Sequence, residues 1–172
     1  MRRSRRNENQ TRSDLAGEHR FSDTGQIILA CLFAVVWISD SFIFKYTTFL
    51  NRHMSLAVRI PVGVMFFILA GYLSRAGLSI VFDEARKESG VIRKGVFGLV
   101  RHPIYLGEIL LYLGFLALNL SLAGILVWLL AIGFLHYFSR HEERLLLARY
   151  GEEYRQYMRE VPMWVPRLRR KP

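Results

Sequence analysis

The sequence contains a single cysteine, Cys31, so no disulfide can form within the chain. Cys31 lies inside an apolar run, where a thiol most simply packs as a small core residue. No H-E-x-x-H segment is present, and the five-residue separation of His136 and His141 suits one helical face poorly, which argues against a metal centre. No G-x-G-x-x-G loop follows a strand-like segment, so a doubly wound dinucleotide-binding fold is not expected. Internal repeats are absent, and low complexity is confined to the Arg-rich beginning with Arg2, Arg3, Arg5, Arg6 and Arg12. A cleavable signal is not expected either, because the apolar run after Gly25 is too long and no small-residue cleavage site follows it.

What is present is an uneven distribution of charge. Hydrophobic residues make up 52% of the chain and aromatic residues 13%, yet 22% of residues are charged. A soluble domain would scatter those charges between apolar positions; here they gather at the N-terminus, around residues 83–102 and beyond Arg140. That segregation points to lipid. The formal charge of +10 would also suit nucleic acid. Its excess flanks apolar runs, however, as expected of cytoplasmic loops, instead of forming the basic face of a soluble fold, so no nucleic-acid partner is expected. The tail over residues 1–24 reads as a disordered, topology-setting segment able to touch anionic lipid, and residues 168–172 as a second basic tail.

A spanning helix needs about 20 mostly apolar residues. The first candidate runs from Gly25 to Phe44, with Asp40 near one end beside Ser39, Ser41 and Lys45, a setting that suggests an interfacial carboxylate more than a functional one. The second extends from Leu56 to about Val81, with Arg59 placed to snorkel to water and Pro61 tolerated in the opening turns. A polar, basic loop follows, carrying Arg86, Lys87, Arg93, Lys94, Arg101 and His102.

From Ile104 to Phe138 the sequence is almost continuously apolar. As one helix it would be about 50 Å long, against a hydrocarbon core of about 30 Å. It would also put the Arg101 and Arg140 clusters on opposite sides of the membrane, which the positive-inside rule disfavours. A hairpin turning at Asn119–Ser121 resolves both conflicts. Beyond Arg140, Leu147, Tyr150, Tyr154, Tyr157 and Val161 form an apolar stripe on a charged helix that lies on the membrane or over the bundle, with Gly151 as a potential break. The expected fold is an all-α integral membrane bundle of about four spans. A C-terminal hairpin, an amphipathic cytoplasmic helix and cytoplasmic termini complete it.

The hairpin would bring Arg101, His102, Pro103, Tyr105, Gly107 and Glu108 close to His136, Arg140, His141, Glu142 and Glu143. A pocket between helices is a common ligand site. Each residue also has a plainer explanation. Arg101 and His102 would serve as interfacial anchors, and Glu142 and Glu143 would pair with Arg144 or Arg149 along the helix.

Residues 95–107, G-V-F-G-L-V-R-H-P-I-Y-L-G, resemble the G-x-Y-x-x-x-R-H-P-x-Y-x-G signature of the isoprenylcysteine carboxyl methyltransferase and phospholipid methyltransferase family. Glu142-Glu143-x-x-Leu146, Tyr150-Gly151-x-x-Tyr154-x-x-Tyr157 and the closing Val161-Pro162-x-x-x-Pro166 resemble that family's ending. The resemblance spans about residues 78–167, within a single transmembrane domain over 25–167. Phe97 departs from the family's tyrosine and removes a hydroxyl.

What the resemblance implies is an S-adenosylmethionine site on the last two helices. His102, Pro103, Tyr105, Leu106 and Gly107 would line it, Glu142 or Glu143 would hold the cofactor's amino group, and His136 would flank it. Arg101 or Arg140 would hold a carboxylate of the cofactor or of an anionic acceptor. The implied reaction is methyl transfer to a lipophilic acceptor, either an isoprenylcysteine-like carboxylate or a phospholipid amine. An amine would need a base, for which Glu108 or His136 is placed. Two alternatives stay open: a membrane reductase with a nicotinamide cofactor, since sterol reductases resemble the same C-terminal module, and a non-catalytic membrane scaffold.

Overall fold

The computed structural model describes residues 24–85 and 90–166; both basic tails, Arg86 and Lys87 lie outside them. Among the described residues five α-helices follow one another: α1 (Thr24–Phe44), α2 (Leu56–Ala85), α3 (Pro103–Leu118), α4 (Leu122–Tyr150) and α5 (Glu152–Glu160). No strand occurs among the described residues. Helix α1 closes in a wide π-turn over Ser39–Phe44, and 3-10 turns at Phe49–His53 and Gly95–Gly98 lie in the connections before α2 and α3.

Helices α1, α2 and α4 are long and apolar enough to cross a membrane, and the chain is an integral membrane protein. They expose Ile28, Val35, Ile68, Leu126 and Leu130, large side chains that are stable outside the protein only against hydrocarbon. Helix α3 has 16 residues, about 24 Å of rise, and is the most enclosed apolar helix. Its glycines let α2 approach closely. A Cβ on Gly107 would collide with Ser74 Oγ and lie 3.1 Å from the Ala70 carbonyl, so α2 and α3 pack almost backbone to backbone.

Pro103 opens α3 at its first turn, where a missing N–H costs nothing. Asn119 and Leu120 interrupt the apolar run, and Ser121 caps α4 by accepting from the Gly124 amide at 2.9 Å. The helix break therefore falls on the three residues singled out in the sequence. At the centre, Phe33 of α1 stacks on Tyr112 of α3 at 4.5 Å, and Trp37, Leu116, Val127 and Ala131 complete the cluster.

Three expectations change, at the end of α4, at Arg59 and at Cys31, whose side chain is exposed and not part of a core. Helix α4 does not stop near Phe138 but continues through the charged residues to Tyr150, so Arg140 to Arg149 belong to it. Gly151, at φ +55° and ψ −124°, is the break that separates α5, in a conformation costly for any residue with a Cβ. Arg59 does not snorkel: it is buried, donating through Nη1 to Asn51 Oδ1 (2.6 Å) and the Leu118 carbonyl (3.0 Å). Asp40 does sit at a helix end, but it is buried and accepts from the Thr47 amide, Thr47 Oγ1 and Ser121 Oγ.

Candidate active site

The site forms where the start of α3, the charged half of α4 and the segment after α5 converge. The chain following α5 runs back alongside the start of α3: the Arg101 amide donates to the Pro162 carbonyl at 2.9 Å and the His102 amide to the Met163 carbonyl at 3.3 Å. Arg101 reinforces that docking from its side chain. Nε meets Glu143 Oε1 at 2.7 Å, while Nη1 donates to the carbonyls of Met158 (3.0 Å) and Val161 (2.5 Å). Both side chains are nearly inaccessible, at 8% and 2%. Nη1, bonded to two backbone carbonyls, offsets part of the cost of burying the pair.

His102 extends the cluster. Its Nε2 lies 3.4 Å from Glu143 Oε1 and its Nδ1 lies 3.6 Å from Glu142 Oε2. The Tyr105 hydroxyl donates to Glu142, and the rings of His102 and Tyr105 are parallel within 2° at 5.6 Å. Arg140 is exposed at the rim, 3.6 Å from Glu143 Oε2.

Helix α5 roofs this corner from one side. Tyr154, Tyr157 and Val161 bury against Val91, Leu146, Leu147 and Tyr150, so the apolar stripe packs on protein. Burial pushes the phenols of Tyr154 and Tyr157 above their ordinary range, keeping both neutral. The Tyr157 hydroxyl donates to the Phe97 carbonyl at 2.7 Å, so the backbone at position 97 carries this bond whatever side chain stands there.

The structure thus gathers Arg101, His102, Tyr105, Glu142 and Glu143, with Arg140 at their edge. Pro103 is buried beside them as the first residue of α3, and Leu106 is half-buried one turn on. Gly107 faces α2 and serves close packing. His136 is exposed, with its ring 6.0 Å from that of Trp164. Glu108 stands one turn along α3 from Tyr105, on the same helical face, and accepts from the Tyr112 hydroxyl at 2.6 Å.

Two residues of this corner escaped sequence reasoning. Ser139 is fully buried one turn before Glu143, and Trp164 packs on the Tyr105–Ile109–Leu135 cluster from the C-terminal segment. Ser139 Oγ, Trp164 Nε1 and Glu143 Oε2 are buried polar atoms without a hydrogen-bond partner among the described residues. Buried donors and acceptors are ordinarily paired, so three orphans in one corner, one of them on a carboxylate, are what a polar cationic ligand would satisfy. The donor set therefore fits a cofactor with an ammonium group and hydrogen-bond acceptors. The one available sequence signal was position: Ser139 interrupts an apolar run at i−4 from Glu143, and Trp164 lies between Pro162 and Pro166.

Residues 22–168 match the family model described as 3-oxo-5-alpha-steroid 4-dehydrogenase. Among curated proteins, methanethiol S-methyltransferase 2 of Bradyrhizobium diazoefficiens is 40% identical over 74 residues, 42% of this chain and 27% of that protein. The cobalt-zinc-cadmium resistance protein CzcN of Cupriavidus metallidurans is 33% identical over 88 residues, 51% of this chain and 41% of that protein. The protein-S-isoprenylcysteine O-methyltransferase of Schizosaccharomyces pombe is 28% identical over 106 residues, 58% of this chain and 44% of that protein. The chain spans less than half the length of these relatives. No solved structure matches. Matched over most of its length, and similar to curated methyltransferases as its R-H-P and E-E segments imply, the chain belongs to the 3-oxo-5-alpha-steroid 4-dehydrogenase family.

Proposed function

We propose that this protein is an integral membrane methyltransferase using S-adenosylmethionine, acting on a lipophilic acceptor that arrives from the bilayer. The observation that carries the reading is the buried Glu143, whose Oε1 is held by Arg101 while Oε2 lacks a hydrogen-bond donor beside the unpartnered Ser139 and Trp164. The names of two relatives support methyl transfer as the chemistry.

When bound, the cofactor supplies a methyl group already activated by a sulfonium. Glu143 and Glu142 would hold its ammonium group, and the Trp164 indole N–H would meet one of its acceptor atoms. Arg140, free to move at the rim, would hold a carboxylate. Arg101 is a positioning residue: its donors face Glu143 and two backbone carbonyls, so it fixes the carboxylate and the C-terminal segment together. The apolar packing of Tyr105, Ile109, Leu135 and Trp164 excludes water beneath the charged cluster.

An amine acceptor would need Glu108 or His136 as base, and Glu108 already accepts from the Tyr112 hydroxyl. An acceptor that is already ionised, such as a carboxylate, needs no base near neutral pH. With the site in the cytoplasm, α3 and α4 turn back at Asn119–Ser121, the bundle has four spans and both termini are cytoplasmic.

A second reading, a membrane reductase with a nicotinamide cofactor, draws on the description of the matching family model. Titrating the detergent-purified protein separates the two. Saturable binding of S-adenosylhomocysteine, weakened about tenfold when Trp164→Phe removes one hydrogen bond of about 1.4 kcal/mol, is expected. Saturable binding of NADPH with none of S-adenosylhomocysteine would replace the methyltransferase by the reductase. Topology has its own check: Arg155→Cys should react with an impermeant maleimide from the cytoplasm and Arg52→Cys from the opposite side, and labelling from one side would remove the hairpin.

A further inference from the structure

At the end of the bundle remote from the candidate active site, α2, α3 and α4 enclose a partly open cavity of about 260 Å³. Val62, Leu113, Leu116, Ala117, Ile125 and Trp128 make its walls apolar. Arg59 alone contributes charge to it. Only 9% of Arg59 is exposed, its Nη1 is taken by the neutral oxygens of Asn51 and Leu118, and its Nε is buried with no hydrogen-bond partner among the described residues. Among the described residues no carboxylate is paired with this guanidinium. The nearby Asp40 is committed to Thr47 and Ser121.

A buried guanidinium with an open donor and no counter-ion is costly in isolation, and an apolar cavity beside it offers hydrocarbon contact but no compensation for its charge. Both needs are met by one amphipathic molecule with an anionic head and an alkyl tail. Arg59 stands in the second turn of α2, close to the helix end, the depth at which a phospholipid phosphate lies when its chain reaches inward. The volume suits a single acyl chain, and the surrounding helices are those that face hydrocarbon.

We infer that this cavity is a lipid site, in which an anionic phospholipid sets its phosphate on Arg59 and inserts one acyl chain between α2 and α4 over α3. The site does not depend on the methyltransferase reading, because it shares no residue with the Arg101–Glu143 corner. Trp128 links the two regions: one part of it lines the cavity, and its indole donates to the Ile109 carbonyl beneath Tyr105 at 3.1 Å.

Native mass spectrometry of the full-length protein, released from detergent containing phosphatidylglycerol and phosphatidylcholine of identical chains, tests the inference. One phosphatidylglycerol should be retained about tenfold better than phosphatidylcholine, the equivalent of about 1.4 kcal/mol. Arg59→Gln should abolish that preference, and Ala117→Phe, which fills the cavity and leaves Arg59 intact, should lower retention of both lipids. Inorganic phosphate should not displace the bound lipid. Equal retention of the two lipids by the unaltered protein overturns the inference without any variant, and so does a folded Ala117→Phe protein that keeps its phosphatidylglycerol. Displacement by phosphate would reduce the site to an anion site with no role for the chain.

Discussion

The two ends of the bundle solve the problem of burying polar groups in different ways. At the Asn119–Ser121 end, Asp40, Thr47, Ser121, Asn51, Asn119 and Trp37 form a mesh in which side chains bond to one another and to loop backbone; Trp37 Nε1, for instance, donates to the Asn119 carbonyl at 3.1 Å. At the opposite end, Arg101, His102, Glu142 and Glu143 concentrate charge, and three buried polar atoms lack a hydrogen-bond partner among the described residues. A mesh closed on itself fixes where loops go. Buried atoms without a hydrogen-bond partner among the described residues occur at both ends, Ser41 Oγ and Arg59 Nε beside the mesh and Ser139 Oγ, Trp164 Nε1 and Glu143 Oε2 in the corner, so what separates the candidate site is its clustered carboxylates with their cationic partners.

Breaking each end separately tests the comparison. The largest effect belongs to Glu143→Gln, which leaves Arg101 buried without its anion. It should cost about 3–5 kcal/mol in thermal unfolding and abolish S-adenosylhomocysteine binding in whatever protein folds. Asp40→Asn disturbs the closed mesh and should cost about 1–3 kcal/mol, with cofactor affinity of the folded protein unchanged; a parallel loss of affinity would show that the two ends are one unit. Gly151→Ala should cost about 1–2 kcal/mol by forcing a Cβ into the positive-φ break between α4 and α5, again read by thermal melting. The smallest change is expected of Arg140→Ala. Its exposed side chain contributes less than about 1 kcal/mol to stability, so an effect confined to cofactor or acceptor affinity would place it at the rim of the site.

Much of this arrangement was legible in the sequence because it follows from length and charge. An apolar run too long for one span had to be interrupted, and Asn119 and Ser121 were its polar residues; α3 ends at Leu118 and α4 begins at Leu122. The stripe of Leu147, Tyr150, Tyr154, Tyr157 and Val161 likewise reappears as one packed cluster. Arg59 was misread because snorkelling assumes that water is the nearest acceptor, whereas the Leu118 carbonyl and Asn51 lie closer. Local periodicity has no term for partners supplied by another helix. Ser139 and Trp164 were missed for a related reason: their significance is the absence of a partner after folding, a property no single position displays.

Arg101 is bound at once to Glu143 of α4 and to the carbonyls of Met158 and Val161. Peeling away the stretch after α5 would therefore strip the guanidinium of two acceptors and loosen the carboxylate in the same event. The closing residues behave as a clasp: trimming them, or fusing a bulky tag directly after Pro166, would dismantle the charged corner while leaving every membrane helix intact.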